Sequence, residues 1–153
     1  MSGHSRFVMP LFLGLLQACG ADPAGPGQAV TGPLPVAGQY VATTLVTARG
    51  GTEADQLAAG VRMTLTLLPD GHTAGAIFVP SIGVGAPAIT FDLAGTWALD
   101  STTLELAHQP ETFLAWIPFR ATVHHLRGEV WFGDTVVRVV LTKIDPATGE
   151  PFP

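Results

Sequence analysis

The histidines are the side chains of this sequence best suited to chemistry, because neutral imidazole binds metal ions and titrates near physiological pH. His108 precedes Glu111 in a predicted loop, and His124 and His125 are adjacent further along the chain. Neighbouring residues on a strand point to opposite faces, so the two adjacent histidines cannot both bind one metal ion from regular β structure. A zinc site of His108, Glu111 and either His124 or His125 is conceivable. Nothing in the spacing requires it, so we expect exposed histidines and no metal site.

Motifs for nucleophilic catalysis and for nucleotide binding are absent from the sequence. There is no Gly-x-Ser-x-Gly segment, and Gly83-x-Gly85 lacks the third glycine and the following helix of a dinucleotide fingerprint. Asp92 and Glu105 are predicted to lie on a solvated strand face, where a general acid–base pair is not expected. We therefore expect no catalytic residues, no cofactor and no enzymatic activity.

Composition and charge exclude several classes of protein. Charged residues make up 12% of the 153 residues, about half of the ~25% that is usual in soluble domains. Seven Lys and Arg against twelve Asp and Glu give a formal net charge of −5. This charge argues against a nucleic-acid partner, because binding to phosphates along a strand needs a basic stripe. The single cysteine excludes an internal disulfide and a cysteine-based zinc site.

The N-terminal segment has the pattern of a secretion signal. Phe7–Leu16 is an almost wholly apolar run that follows a short polar start containing Arg6. The run is shorter than the ~18 residues that indicate a transmembrane helix, but its length is typical of the apolar region of a signal peptide. It ends in Leu16-Gln17-Ala18-Cys19-Gly20, which resembles the lipobox of bacterial lipoproteins.

This resemblance implies a location and an anchor. In that family the signal peptide, here residues 1–18, is removed, and acyl chains are attached to the new N-terminal cysteine, here Cys19. About two or three acyl chains hold a protein stably at a membrane, where one would not. Gly20 in place of Asp implies the outer membrane, with the protein facing the periplasm or the cell surface. The alternative is an ordinary cleaved signal peptide that leaves Cys19 as a free thiol.

The remaining chain divides into a tether, one domain and a tail. Residues 19–37 are predicted to be a tether, because Gly20–Ala37 contains four glycines and four prolines and shows no hydrophobic period. Residues 38–144 suffice for one domain with a modest core. Asp145–Pro153 is turn-like in composition and is predicted to be a loose tail.

Hydrophobic residues in the domain alternate with a period of two, which indicates half-buried strands. Turns are predicted at Asp70-Gly71, Asp100-Ser101 and Gly133-Asp134. These turns would place the following residues opposite one another: Leu67 and Ala74, Leu65 and Ala76, and Met63 and Phe78 in the first hairpin; Trp97 and Leu104, Gly95 and Leu106, and Thr96 and Glu105 in the second; Val130 and Val137, Leu126 and Leu141, and Glu129 and Arg138 in the third.

Further strands bring the predicted total to about eight. Gln39–Ala48 forms one, and Thr112–His124 contains one or two more. We predict an all-β domain, a small antiparallel up-and-down barrel, because closure removes exposed strand edges. A two-sheet sandwich is the alternative. Thr52–Ala59 is either a short helix, capped by Thr52 with Asp55 in the capping-box position, or a surface loop.

A second resemblance concerns the fold. Gly95-Thr96-Trp97 is similar to the Gly-x-Trp element of lipocalins, and Gly38-Gln39-Tyr40 occupies the position at the start of the first strand where lipocalins carry that element. The strand-and-turn pattern also resembles small lipocalin-like barrels of bacterial lipoproteins. The resemblance implies a barrel and carries no functional residue.

Apolar surface provides the remaining functional prediction. Phe113–Phe119 is apolar on both faces of any strand it forms, and Trp131 and Val136 are predicted to face outward. Inward positions such as Leu65, Phe78, Phe91, Trp97 and Val139 would fill the barrel, whereas Ala74, Ala76, Gly95 and Gly128 would leave room for a small cavity. The residues predicted to form a ligand or partner surface are Trp97, Phe113, Trp116, Phe119 and Trp131.

Two non-catalytic functions follow from these patterns. The first is a lipid-anchored envelope module that binds a small apolar ligand, and the alternative is an envelope interaction protein or inhibitor that uses an outer apolar patch. A cavity inside the barrel would favour the first function. A filled core with an exposed apolar patch would favour the second.

Overall fold

The computed structural model describes residues 35–153 of the chain, apart from residues 82 and 84. The predicted signal peptide (1–18), Cys19 and the tether as far as residue 34 lie outside the described residues. Strands account for 58% of the described residues and helix for 3%, which confirms the all-β class.

Ten strands and one 3-10 helix occur in the described part of the chain. In chain order they are β1 (Gly38–Arg49), β2 (Thr52–Asp55), β3 (Arg62–Leu67), β4 (His72–Val79), β5 (Ile89–Asp92), β6 (Gly95–Asp100), β7 (Thr103–His108), the 3-10 helix Phe113–Trp116, β8 (Phe119–Ala121), β9 (His125–Phe132) and β10 (Thr135–Lys143).

Eight of these strands form a closed antiparallel barrel. Its strands follow the order β10-β9-β8-β7-β6-β4-β3-β1, and β1 pairs again with β10 to complete the circle. The two extra strands extend it, because β2 pairs with the second half of β1 and β5 pairs with the second half of β4. The predicted barrel is confirmed, and the two-sheet alternative is excluded.

The third hairpin has the predicted register. Val130 lies opposite Val137 and Glu129 opposite Arg138, around a turn in which Gly133 adopts a φ of 62°. The Arg138 guanidinium contacts the Glu129 carboxylate at 2.9 Å and that of Glu53 on β2 at 2.8 Å. The predicted cross-strand ion pair therefore gains a second carboxylate from a strand that the sequence did not reveal.

The predicted register of the first hairpin is wrong by one residue. The Gly71 N–H donates to the Leu68 carbonyl at 3.1 Å and the Leu68 N–H donates to His72 at 2.9 Å, which makes a three-residue loop. Gly71 takes the left-handed conformation, with a φ of 86°, as such loops require. A slip of one residue exchanges the faces of a strand. Met63 consequently lies opposite Ile77 instead of Phe78.

The predicted register of the second hairpin is wrong by two residues. Its turn lies at Ser101-Thr102, with Ser101 at a φ of 55°, and Trp97 lies opposite Leu106. A shift by two residues leaves every side chain on its predicted face, because the side-chain period of a strand is two. The apolar inner wall is therefore preserved.

One other segment differs from its predicted structure. Thr52–Asp55 is strand β2 and not a helix, because Gly50 and Gly51 reverse the chain beside β1. The Asp55 carboxylate accepts hydrogen bonds from the N–H groups of Leu57 and Ala58 in the following turn. Between Thr112 and His124, one of the one or two predicted strands is present as β8, and the 3-10 helix Phe113–Trp116 precedes it.

The two inward glycines that were predicted to leave room are closely approached, Gly128 by core side chains and Gly95 by the backbone of β7. A Cβ atom at Gly128 would lie within 2.0 Å of the Ile117 side chain, and one at Gly95 within 2.0 Å of the Ala107 carbonyl oxygen. The absence of a side chain at these two positions therefore lets Ile117 and the β7 backbone lie close to the wall, and the space is not left open. Fully buried large side chains line the rest of the interior, among them Met63, Leu65, Leu93, Leu104, Leu126 and Leu141.

Both ends of the domain are attached more firmly than predicted. Val36, within the predicted tether, is buried in the core, and the Tyr40 hydroxyl donates to its carbonyl oxygen. The tail was predicted to be loose, but it folds back, with the Phe152 N–H donating to Lys143 at 2.9 Å. The Phe152 ring stacks on His124 with 4.0 Å between ring centroids.

Tyr40 provides a test of this packing, because it is the only tyrosine of the chain. Burial raises its pKa to about 12. In a pH titration followed by the ultraviolet absorbance of phenolate, the midpoint of the folded protein should therefore be two pH units higher than the midpoint in urea, which is expected at ~10. Since the unfolded state loses this proton first, stability should fall as the pH rises above ~10. A folded-state midpoint near 10 would contradict the buried position.

Candidate functional site

One end of the barrel carries an open apolar cleft, which we call the apolar mouth. It consists of two hollows of about 240 Å³ and about 280 Å³ that share Ile77, Val79 and Phe113. Strands β1, β4 and β9 end towards it, and β3, β5 and β10 start from it. Its apolar lining consists of Leu45, Val61, Ile77, Val79, Phe91, Phe113, Phe132 and Val137.

The 3-10 helix positions the aromatic side of the mouth. Leu114 is fully buried and fixes the helix to the core, which leaves Phe113 half-buried in the lining. Trp116 projects from the same helix, is 56% exposed, and lies against Phe132 with 5.4 Å between ring centroids. Three aromatic rings from two elements thus surround one side of the opening.

Few polar groups reach the mouth, and most of them contact one another. The Gln56 side-chain amide donates to the Thr47 hydroxyl at 2.8 Å. The Glu111 carboxylate accepts a hydrogen bond from the Trp116 indole N–H. This arrangement suits an apolar guest, because the polar groups of the lining already have partners.

The structure separates the five residues that were predicted to form one surface. Phe113 lines the mouth and Trp116 adjoins it. Phe119 is fully buried in the core and contributes to no surface. Trp97 is half-buried near the opposite end, where its indole N–H donates to the Leu68 carbonyl at 2.9 Å. Trp131 is 64% exposed on the outer face of β9.

Two of the residues predicted to fill the barrel are largely exposed. Phe78 is 40% exposed on the outer face, because the first hairpin has the shifted register. Phe91 lies opposite Ile77 on the inner face but is 41% exposed, since β5 reaches the rim of the mouth. Val136, predicted to face outward, is only 3% exposed and lies opposite Trp131.

Most of the mouth residues were not identified by the sequence analysis. Leu45 was predicted only as part of the first strand, and Val79 was assigned to the connection between two hairpins. The signal that distinguishes the mouth residues is an inward face at a position up to four residues from a strand end. Using that signal requires the registers, which decide which strand ends meet.

Among the three histidines considered for a metal site, His108 is the one that is buried inside the barrel. It is 4% exposed, and its Nδ1 atom lies 3.2 Å from the hydroxyl of Thr112, a residue of the mouth. Its Nε2 atom is buried and has no hydrogen-bond partner among the described residues. Burial lowers the pKa of this imidazole, and the nearby Asp92 carboxylate opposes that effect. His108 is therefore a neutral ring at neutral pH.

Of the other residues of the conceivable zinc site, Glu111 lines a surface hollow together with His108, and its carboxylate binds the Trp116 indole. His124 stacks on Phe152 in the tail. Within residues 35–81, 83 and 85–153, no three His, Cys, Asp or Glu side chains are grouped so that they could hold a metal ion. The same part of the chain contains no helix with the length and apolar character needed to cross a membrane.

Comparison of the chain with protein-family models, with curated proteins and with solved structures gave no match.

The buried imidazole predicts a pH dependence of stability. Because the folded state holds the pKa of His108 below 6.5, the unfolded chain binds a proton that the folded chain does not. Stability from this source is complete above pH 6.5 and decreases as the pH falls below it. His108→Gln should flatten that decrease in urea unfolding measured at a series of pH values. The exposed His72→Gln is the control and should retain it; equal slopes in both variants would contradict the assignment.

Proposed function

We propose that this protein is a lipid-anchored cell-envelope module that binds a small apolar group in the apolar mouth. The core of the barrel is filled with side chains, so the proposal does not rest on an internal cavity. The observation that carries it is the mouth itself, an open apolar cleft at one end of the barrel. Exposing Val79, Phe91 and Phe113 together to water does not stabilise the fold, so a contiguous apolar patch of this kind favours a binding role.

The dimensions of the mouth limit its occupant. Sites for drug-sized ligands measure ~300–1,000 Å³, and each hollow here is smaller, at about 240 Å³ and about 280 Å³. The expected occupant is a small apolar molecule or the apolar end of a larger one, such as a ring or part of an acyl chain. A guest with several polar groups would find few free partners in the lining.

The anchoring part of the proposal rests on the lipobox-like segment that ends at Cys19. Acyl chains on Cys19 and the tether that follows would keep the barrel close to the membrane. Strand β1 begins at the opposite end of the barrel from the mouth, since Leu45 and Thr47 lie in its second half. The mouth is therefore at the end away from the point where the tether joins the barrel.

A partner-binding role is the second candidate, and one observation favours it. Trp131 is 64% exposed on the outer face, beside the buried Val136. An exposed tryptophan next to a covered apolar residue resembles the centre of many protein interfaces. This surface lies outside the mouth, so the two roles can be tested separately.

The first test compares two phenylalanines of equal exposure on neighbouring strands. Phe91 lines the mouth and Phe78 lies on the outer face. The fluorescent naphthalene probe N-phenyl-1-naphthylamine should bind the full chain. Phe91→Ser should weaken that binding roughly fivefold, because about half of a phenylalanine burial, ~1 kcal/mol, is lost. Phe78→Ser should leave the affinity unchanged. Equal effects of the two substitutions, or no binding at all, would refute the apolar mouth as the site.

The anchor is tested independently of the ligand. Mass spectrometry of the membrane fraction of the native host should find a mature chain that begins at an acylated Cys19. Cys19→Ala should block processing or release the protein from the membrane. An unmodified mature chain in the soluble fraction would end the lipoprotein interpretation and would leave the apolar mouth unaffected.

A further inference from the structure

Two arginines face each other on the outer wall of the barrel, away from the apolar mouth. Arg120 on β8 and Arg127 on β9 are directly opposite in the antiparallel pair, and both are exposed. Their neighbours Ala121 and Leu126 are buried on the inner face, so both guanidinium groups project outward. Directly opposite residues have Cβ atoms ~4.5–5.5 Å apart, which allows both groups to reach one ligand.

Neither guanidinium is neutralised within the described chain. The ion pairs of residues 35–153 involve Arg49, His72 and Arg138, but not Arg120 or Arg127. The directly opposite neighbours are uncharged, since Thr103 lies opposite Arg120 on β7 and Val140 opposite Arg127 on β10. The nearest carboxylates of the outer face are two positions away, at Glu105 on β7 and Glu129 on β9, and Glu129 is already bound to Arg138.

The contrast with Arg138 shows that this sheet can neutralise an arginine. Arg138 has carboxylates from both Glu129 and Glu53 within 2.9 Å. Like charges directly opposite on a sheet are destabilising. Because the chain as a whole has a net charge of −5, this repulsion arises from the two neighbouring arginines and not from an overall positive charge. A pair of arginines that has no ion-pair contact among the described residues is therefore stabilised by an anion placed between them.

We propose that Arg120 and Arg127 form a binding site for a phosphate group. Guanidinium groups present planar forks of N–H donors that match phosphate oxygens in pairs. One phosphate placed between the two side chains would accept hydrogen bonds from both and remove their repulsion. The phosphate belongs either to a small soluble molecule or to the headgroup of a membrane lipid, and the chemistry of recognition is the same for both.

The test is thermal unfolding in inorganic phosphate and in chloride at equal ionic strength. At a concentration of about five times its dissociation constant, phosphate should raise the melting temperature of the full chain by about 3–6 °C. Arg120→Gln and Arg127→Gln should each abolish the rise. Arg62→Gln is the matched control, because it removes one exposed arginine that contacts only backbone carbonyls and should retain the rise. An equal rise in all four proteins would overturn the proposal.

A charge reversal tests the repulsion directly. Arg120→Glu places an opposite charge beside Arg127, so its melting temperature in chloride should exceed that of the unchanged protein, and phosphate should no longer raise it. A lower melting temperature in chloride would show that the two arginines do not repel each other, and would overturn the argument for an anion between them.

Vesicles identify the source of the phosphate. The full chain with Cys19→Ala, which carries no acyl chains, is sedimented with phosphatidylcholine vesicles with and without phosphatidic acid. Binding that requires phosphatidic acid and both arginines supports a lipid headgroup. A phosphate-dependent rise in melting temperature without vesicle binding supports a soluble ligand. Absence of both effects would refute the site, whatever the outcome for the apolar mouth.

Discussion

The pairing of β1 with β10 is the interaction on which the rest of the structure depends. The first and last strands of the barrel meet along nine residue pairs, with one irregularity between Ala42 and Thr44. Without this pairing the sheet would have two long edges and an open apolar face. With it, the inner faces of eight strands enclose a single core, and the glycines of the wall allow Ile117 and the β7 backbone to approach closely.

A filled and closed barrel leaves its ends and its outer wall as places for binding. Closure satisfies the ladder hydrogen bonds along the sides, so apolar side chains remain available where strands end and the packing stops. The apolar mouth arises in this way from Ile77, Val79 and Phe91, which share the inner face but extend to the rim. The outer wall carries charged side chains. Arg120 and Arg127 project outward there, because the neighbouring residues on the same strands are buried on the inner face. The two proposed sites thus use one end of the barrel and its outer wall.

The third hairpin shows what could be predicted from the sequence, and the first shows where the prediction ended. In the third hairpin, the charge pair of Glu129 with Arg138 and the pairing of the apolar residues beside them require the same register. The residues of the hairpin were therefore sufficient to predict it. In the first, Asp70-Gly71 is compatible with either a two-residue or a three-residue loop, and the two choices exchange the faces of β4. That single residue moved Phe78 to the surface and Ile77 to the core. Of the two phenylalanines that were predicted to fill the barrel, only Phe91 therefore lies on the inner face, at the rim of the mouth.

The sequence by itself determined the all-β class, the approximate number of strands, the barrel and the inner face of most strands, because these depend on a period of two and on turn residues that are local. It also contained the segment around Cys19 on which the anchoring proposal rests. Only the tertiary structure decided that Phe113 reaches the apolar mouth while Phe119 is buried, that His108 is enclosed, and that Arg120 meets Arg127. Each of these facts depends on which residues of distant strands stand opposite one another. That register is set by loop length and by closure of the whole sheet, which no single segment specifies.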